Sequence, residues 1–182
     1  MSLYTSFKTT GKKKLQEQLW KTNVHETPVI DKVIVAVGIG SLATRKWMKD
    51  FGDIEKNIMT ITGQKPHLIL SKKSISNFKL REDMPVMLRT TLRWKKAYDF
   101  IERIVTLVLP RLRDFQWISN KKFDGKGNYS LWFPSQAAFA EINPEEITTP
   151  VWVQITIVTS TTVDAEAKAL LQNLGIIFVP TV

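Results

Sequence analysis

Two spacings of apolar residues alternate along the chain, one of three to four positions and one of two. Leu15 and Leu19 stand four apart behind a lysine-rich lead-in, which predicts a short amphipathic helix over 12–20. Residues 23–28 form a linker, since Pro28 disfavours helix at the residue before it. From Val29 to Val37 the period is two, with Val33, Val35 and Val37 on one face and Ile34 and Ala36 on the other. Both faces are apolar, so this strand belongs in the middle of a sheet, and Gly38 and Gly40 end it. A helix is predicted over 45–61, with Ile54, Ile58 and Ile61 on one buried stripe and Gly63 and Pro66 stopping it. A short strand over 67–70 leads into the loop 71–85. In the strand 86–93, Val86, Leu88, Thr90 and Leu92 point one way, and Met87, Arg89, Thr91 and Arg93 point the other. One face belongs to a core; the other carries two guanidinium groups flanking a hydroxyl.

Tyr98, Ile101, Ile104, Val105 and Val108 form a further helical stripe, followed by Pro110 and a long basic, aromatic loop over 110–130. Val153, Ile155 and Ile157 mark the last strand. Thr161 and Asp164 resemble a capping box ahead of a helix bearing Ala167, Leu170, Leu171 and Leu174, closed by Gly175. The order predicts an α+β fold: a largely antiparallel sheet with helices packed on one face and long basic loops, with the split β-α-β character of RRM and ferredoxin-like domains. No repeat or linker divides the chain. It reads as a single domain over 1–182, with the helix 12–20 and the loops 71–85 and 110–130 as appendages.

Composition narrows the function. The chain has 182 residues and no cysteine, which excludes disulfides, cysteine nucleophiles and thiolate metal sites. His25 and His67 are its only histidines, each read as a solvated side chain, so no metal site is expected. No apolar run is long enough to cross a bilayer, and the N-terminus lacks the pattern of a secretory signal. The net charge of +9 is unevenly placed: residues 65–126 hold fifteen Lys/Arg against six Asp/Glu, and residues 127–182 hold one against five. A basic middle before an acidic end is an electrostatic footprint for a polyanion.

VAVGIGS lacks the third glycine of a dinucleotide loop and the Lys of a P-loop, so it reads as a tight turn. FDGKGN fits either a structural turn or a phosphate contact through Lys126 and its flanking glycines. No serine, carboxylate and histidine combine into a catalytic set. An RNA-modifying or nucleotide-dependent enzyme stands as the alternative, and an anionic-membrane binder is disfavoured because the cations lie in loops and on a strand. Around Phe78 stand Lys72, Lys73, Lys79 and Arg81. Along 110–130, Arg111, Arg113, Lys121, Lys122 and Lys126 interleave with Phe115, Trp117, Phe123 and Tyr129. Cations neutralise phosphates and rings stack on unpaired bases, so this pattern points to RNA, with Lys12, Lys13 and Lys14 adding charge at the first helix.

ITGQKP, KKSISNFKLREDMPV, TLR, LPRLRDF and FDGKGNYS, in that order, resemble the bacterial-type large-subunit ribosomal protein family that binds 5S rRNA, over roughly residues 12–178. The resemblance implies a non-catalytic protein without cofactor that docks 5S rRNA and large-subunit rRNA into the central protuberance. It also implies contact with a small-subunit head protein across an intersubunit bridge, neighbouring central-protuberance proteins, and proximity to P-site tRNA. In that family a polar sheet face and the turn before the second strand meet 5S rRNA. The matching positions are Gln64 at the turn, with Lys65 beside it as a further RNA-binding candidate, and Thr91, which the strand pattern sets between Arg89 and Arg93, while the loop 71–84 corresponds to the tRNA-proximal segment. A ribosome of the bacterial cytoplasm is expected rather than an organellar one. Two departures stand out. Ala36 replaces an asparagine that would contact RNA, and Trp94, Trp117, Trp132 and Trp152, with Trp20 beside them, fall where the family has glycine. Either the lineage has genuine aromatic residues there, or its source reads UGA as glycine.

Overall fold

The computed structural model describes residues 3–45, 50–112 and 118–179, without the side chains of Arg45, Lys121 and Glu146. Five strands form one antiparallel sheet: β1 (Ile30–Gly38), β2 (His67–Leu70), β3 (Pro85–Arg93), β4 (Tyr129–Phe133) and β5 (Val153–Thr159), in the order β2-β3-β1-β5-β4. The doubly apolar β1 is central, as expected. β2 runs antiparallel to β3, with His67 opposite Arg89 and Ile69 opposite Met87. Burial alternates along the strands. Val153, Ile155, Ile157 and Thr159 of β5 are buried and the residues between them half-buried, and Leu88, Thr90 and Leu92 of β3 are buried while Arg89 and Arg93 are exposed. The α+β class holds.

Helices fill the intervals: α1 over 3–18, α2 (Gly40–Arg45), α3 (Gly52–Thr62), α4 over 95–111 and α5 (Asp164–Asn173). Several bounds differ from the sequence pattern, each for a tertiary or capping reason. α1 starts at Leu3 and passes through a π turn at Phe7–Gly11 before Lys12–Gln18. Its early start is anchored by buried Phe7, whose ring lies 5.4 Å from that of Tyr98, and by the Leu3 amide donating to Glu102 at 3.0 Å. The helix expected over 45–61 is two helices. The second opens where the Asp50 carboxylate accepts from the Gly52 amide at 2.9 Å, and it buries Ile54, Ile58 and Ile61 as expected. Pro110 lies within the helical segment Leu109–Arg111 rather than beyond the helix, in the first turn of that segment, where a missing N–H costs no bond within it. β4 was not foreseen, its Tyr-Ser-Leu-Trp-Phe alternation lying hidden at the end of a basic loop.

The chain gathers into two compact units: Met1–Val33 with Leu92–Leu131 and Thr156–Val182, and Ile34–Thr91 with Trp132–Ile155. In the first, Tyr98 is a hub. Its ring meets Tyr4 edge-on at 5.5 Å, its hydroxyl accepts from the Ile30 amide at 3.2 Å, and burial pushes its pKa up. A second aromatic cluster joins Phe123, Tyr129 and Phe178, with centroids 4.6–5.8 Å apart. Near it, the expected capping box is rearranged. The helix opens from Val163: the Thr161 hydroxyl accepts from the Val163 amide at 3.2 Å and donates to Glu166 at 2.8 Å, and the Asp164 carboxylate accepts from the Gly127 amide at 2.8 Å. Gly127 has φ +75°, and a Cβ there would collide with the Thr161 carbonyl oxygen. In the second unit, α3 ends on Gly63 at φ +66°, whose amide bonds Met59 at 2.7 Å. Phe133 packs edge-on against Phe139 at 5.5 Å, and Gln136 donates to the Thr149 carbonyl at 3.2 Å.

Candidate nucleic-acid interface

In the second unit, the antiparallel register brings the end of α3 to one end of β3. Because His67 pairs with Arg89, the Gln64–Lys65 turn just upstream enters beside the Thr91 end of the strand. The turn is held by the Thr62 hydroxyl, which donates to Ile58 at 2.7 Å and to the Gln64 carbonyl at 3.0 Å. The Gln64 and Lys65 side chains are exposed, and Lys65 reaches Glu55 at 3.5 Å only as a solvated pair of little energetic weight. Arg89 is exposed and, among the described residues, no carboxylate pairs with it. Thr91 is half-buried. His67 was read as an isolated surface histidine; its place opposite Arg89 follows from pairing, which one strand's sequence does not reveal.

The loop 71–84 of the same unit is closed by its own backbone. Ser71 donates to Met84 at 2.8 Å, Asp83 to Ser71 at 3.0 Å, and Ile75 pairs with Leu80. Residues 72–79 are all exposed, and Phe78 stands 72% exposed at the tip. Lys72, Lys73, Lys79 and Arg81 are thus turned outward on a shaped loop. A cleft of about 440 Å³ lies between Asn77–Leu80 and Gly40, Ser41 and Thr44. On the open sheet face, Ala36, Gly38, Met87, Trp132, Trp152 and Gln154 line another of about 270 Å³.

In the first unit, Arg93 is exposed but meets Asp31 at 3.7 Å, a partner the strand pattern did not disclose. Lys13 and Lys14 are exposed and Lys12 half-buried on α1; Arg111, Lys122 and Lys126 are exposed. Arg113, with Phe115 and Trp117, lies outside the described residues, as does the Lys121 side chain. FDGKGN is braced by its own Asp124 and, through Gly127, by Asp164 and Thr159. The Asp124 carboxylate accepts from Lys126 N at 2.8 Å, Asn128 N at 3.0 Å and Asn128 Nδ2 at 2.7 Å. The Asn128 amide beside it holds the Asp124 carboxyl below the usual range. The Lys126 and Asn128 amides, already occupied by a carboxylate, are not available to a phosphate, whereas the Lys126 ammonium is exposed.

The shifted acids are explained by structural bonds: Glu166, for instance, is lowered by Lys21 at 2.7 Å and by Thr161. Among the described residues no group of His, Asp and Glu is placed to hold a metal, and no helix is long and apolar enough to cross a membrane.

Comparison with known proteins decides the family. The family described as ribosomal protein L5 matches residues 23–81, and the model for the C-terminus of the same ribosomal family matches residues 85–178. The chain belongs to the ribosomal protein L5 family. It is 41% identical to large ribosomal subunit protein uL5 of Saccharopolyspora erythraea over 97% of this chain and 93% of that one. It is 43% identical to uL5c of Nephroselmis olivacea over 91% and 89%, and 41% identical to uL5 of Prochlorococcus marinus over 98% of each. Membership in a family of ribosomal proteins bears out both the resemblance and the expectation of a non-enzyme.

Proposed function

We propose that the chain is a structural constituent of the large ribosomal subunit in a bacterial-type cytoplasmic ribosome, and that it binds 5S rRNA through the open face of β3. The observation that carries the 5S assignment is the placement of Arg89, exposed and, among the described residues, without a carboxylate partner, beside Thr91 and the Gln64–Lys65 turn. A guanidinium, a hydroxyl, an amide and an ammonium along one strand end are donors suited to phosphate and sugar oxygens. Arg93, Lys12, Lys13, Lys14, Arg111, Arg113, Lys121, Lys122 and Lys126 supply further charge, toward 5S or large-subunit rRNA. The whole of 1–182 is taken as the binding domain.

The loop 71–84 is assigned to the P-site tRNA side. Its exposed Phe78 and four cations can meet a sugar–phosphate backbone without disturbing the loop, because the loop's own backbone closes it. Contact with a small-subunit head protein and with neighbouring proteins of the central protuberance completes the assignment; it rests on family membership alone.

The test is binding of the purified protein to 5S rRNA at several salt concentrations, with a tRNA of similar size as competitor. Preferential, salt-sensitive 5S binding is expected. Equal binding to both RNAs would reduce the protein to a generic polycation.

A further inference from the structure

Two of the four described tryptophans sit on backbone that a side chain rarely adopts. Trp94 has φ +51° and ψ −133°. Those are the angles of the first central position of a type II′ turn, where glycine dominates because a Cβ crowds the neighbouring carbonyl. Trp20 has φ +54° and closes the end of α1. There its amide donates to the Glu17 carbonyl at 3.3 Å and the next amide, of Lys21, to Gln16 at 3.1 Å. The same bond pair ends α5, where the Gly175 amide donates to Gln172 at 3.0 Å and the Ile176 amide to Leu171 at 3.0 Å. This is the Schellman arrangement, whose left-handed residue is ordinarily glycine. At one helix end the chain places Gly175 in this role, and at the other an indole.

The indoles also go unused. Trp20 is 93% exposed, Trp94 78%, Trp152 61% and Trp132 51%, although tryptophan is on average one of the more buried residues. Among the described residues none of them takes part in a ring–ring contact. One cause covers all four. The codon UGA lies one base from the tryptophan codon UGG and one from the glycine codon GGA. We infer that this gene carries UGA at positions 20, 94, 132 and 152 and that its own ribosomes read UGA as glycine, so the protein made in its source has glycine at all four.

The consequence for the interface rests on the RNA-binding assignment above. Trp132 and Trp152 wall the cleft over Ala36 and Gly38 on the open sheet face. With glycine at both, the walls vanish and four small residues leave a shallow floor. Glycine within a sheet commonly marks a place where another backbone comes close, and here that would be the sugar–phosphate chain of 5S rRNA.

The first test is the coding DNA together with peptide masses of the protein from ribosomes of its source. TGA codons and glycine masses at the four positions are expected; TGG codons or tryptophan masses would overturn the inference. A recombinant chain carrying Trp20→Gly and Trp94→Gly should melt roughly 4–10 °C above the tryptophan form, and an equal or lower Tm would contradict the backbone argument. Trp132→Gly with Trp152→Gly should raise 5S rRNA affinity several-fold. Glycine masses without that gain would refute the RNA role of this face while leaving the decoding intact.

Discussion

The loop 71–84 and the stretch 118–129 are alike in sequence: both are basic, the first carrying one aromatic ring and the second two. Folded, they are used in opposite ways. In 118–129 the rings turn inward: Tyr129 is fully buried, Phe123 stacks beside it, and Phe178 closes the cluster. The amides of the turn are taken by Asp124. In 71–84 the backbone closes on itself and Phe78 is left in solvent with its cations. Charge and rings together therefore do not mark a binding loop. What separates the two is whether the rings have a partner elsewhere in the chain, and Phe123 finds one in Phe178, far along the sequence.

That contrast can be broken most sharply at the rings. Tyr129→Ala should cost roughly 3–5 kcal/mol in denaturant unfolding, because it removes a fully buried ring from a packed cluster. Phe78→Ala should stay within about 0.5 kcal/mol. Similar losses would mean that Phe78 is not solvated in solution. The backbone gives the next largest effect. Gly127→Ala should lose about 1–3 kcal/mol, since a Cβ at φ +75° meets the Thr161 carbonyl. Lys79→Gly, at φ +53° in the outward loop, should gain about 0.5 kcal/mol, the relief of a crowded Cβ less the entropy of glycine.

A third pair of changes leaves stability alone and acts on binding. Arg89→Ala should lower the salt slope of 5S rRNA binding by about one unit, and Thr91→Ala should weaken binding at unchanged slope. Loss of thermal stability in either would place that side chain in the core instead. The smallest effect concerns pH. The folded-state pKa of Asp124 lies below its unfolded value, so its bonds contribute stability above about pH 4 and lose it as pH falls through the lower folded value. The Lys126 and Asn128 amide resonances should titrate with a midpoint below about 3.9, and Asp124→Asn should abolish that titration.

Much of the fold could be read from neighbouring residues. Ile54, Ile58 and Ile61 lie on one buried stripe, β3 alternates as its letters do, and the apolar β1 is the central strand. These features are set by spacing along one element. What escaped was set between elements. Glu166 answers Thr161, and Asp164 is engaged by Gly127 from a distant turn. Phe7 extends α1 backwards because Tyr98 receives it. At the interface, the exposure of Arg89 followed from alternation, whereas the Asp31 partner of Arg93 and the place of His67 opposite Arg89 depend on strand pairing.

The aromatic cluster around Tyr129 also sets an order of events during synthesis. The unit built from Ile34–Thr91 and Trp132–Ile155 has all its residues once position 155 has left the exit tunnel. The other unit opens the chain, yet it cannot complete that cluster until Phe178 emerges. The helix made first therefore waits longest for α5, against which its residues 12–18 pack, while the other unit already has all its residues. Chains emerge at only several residues per second, so the newborn protein spends seconds as a finished half beside an unfinished one. That interval is when a chaperone or a nascent ribosomal particle would meet it.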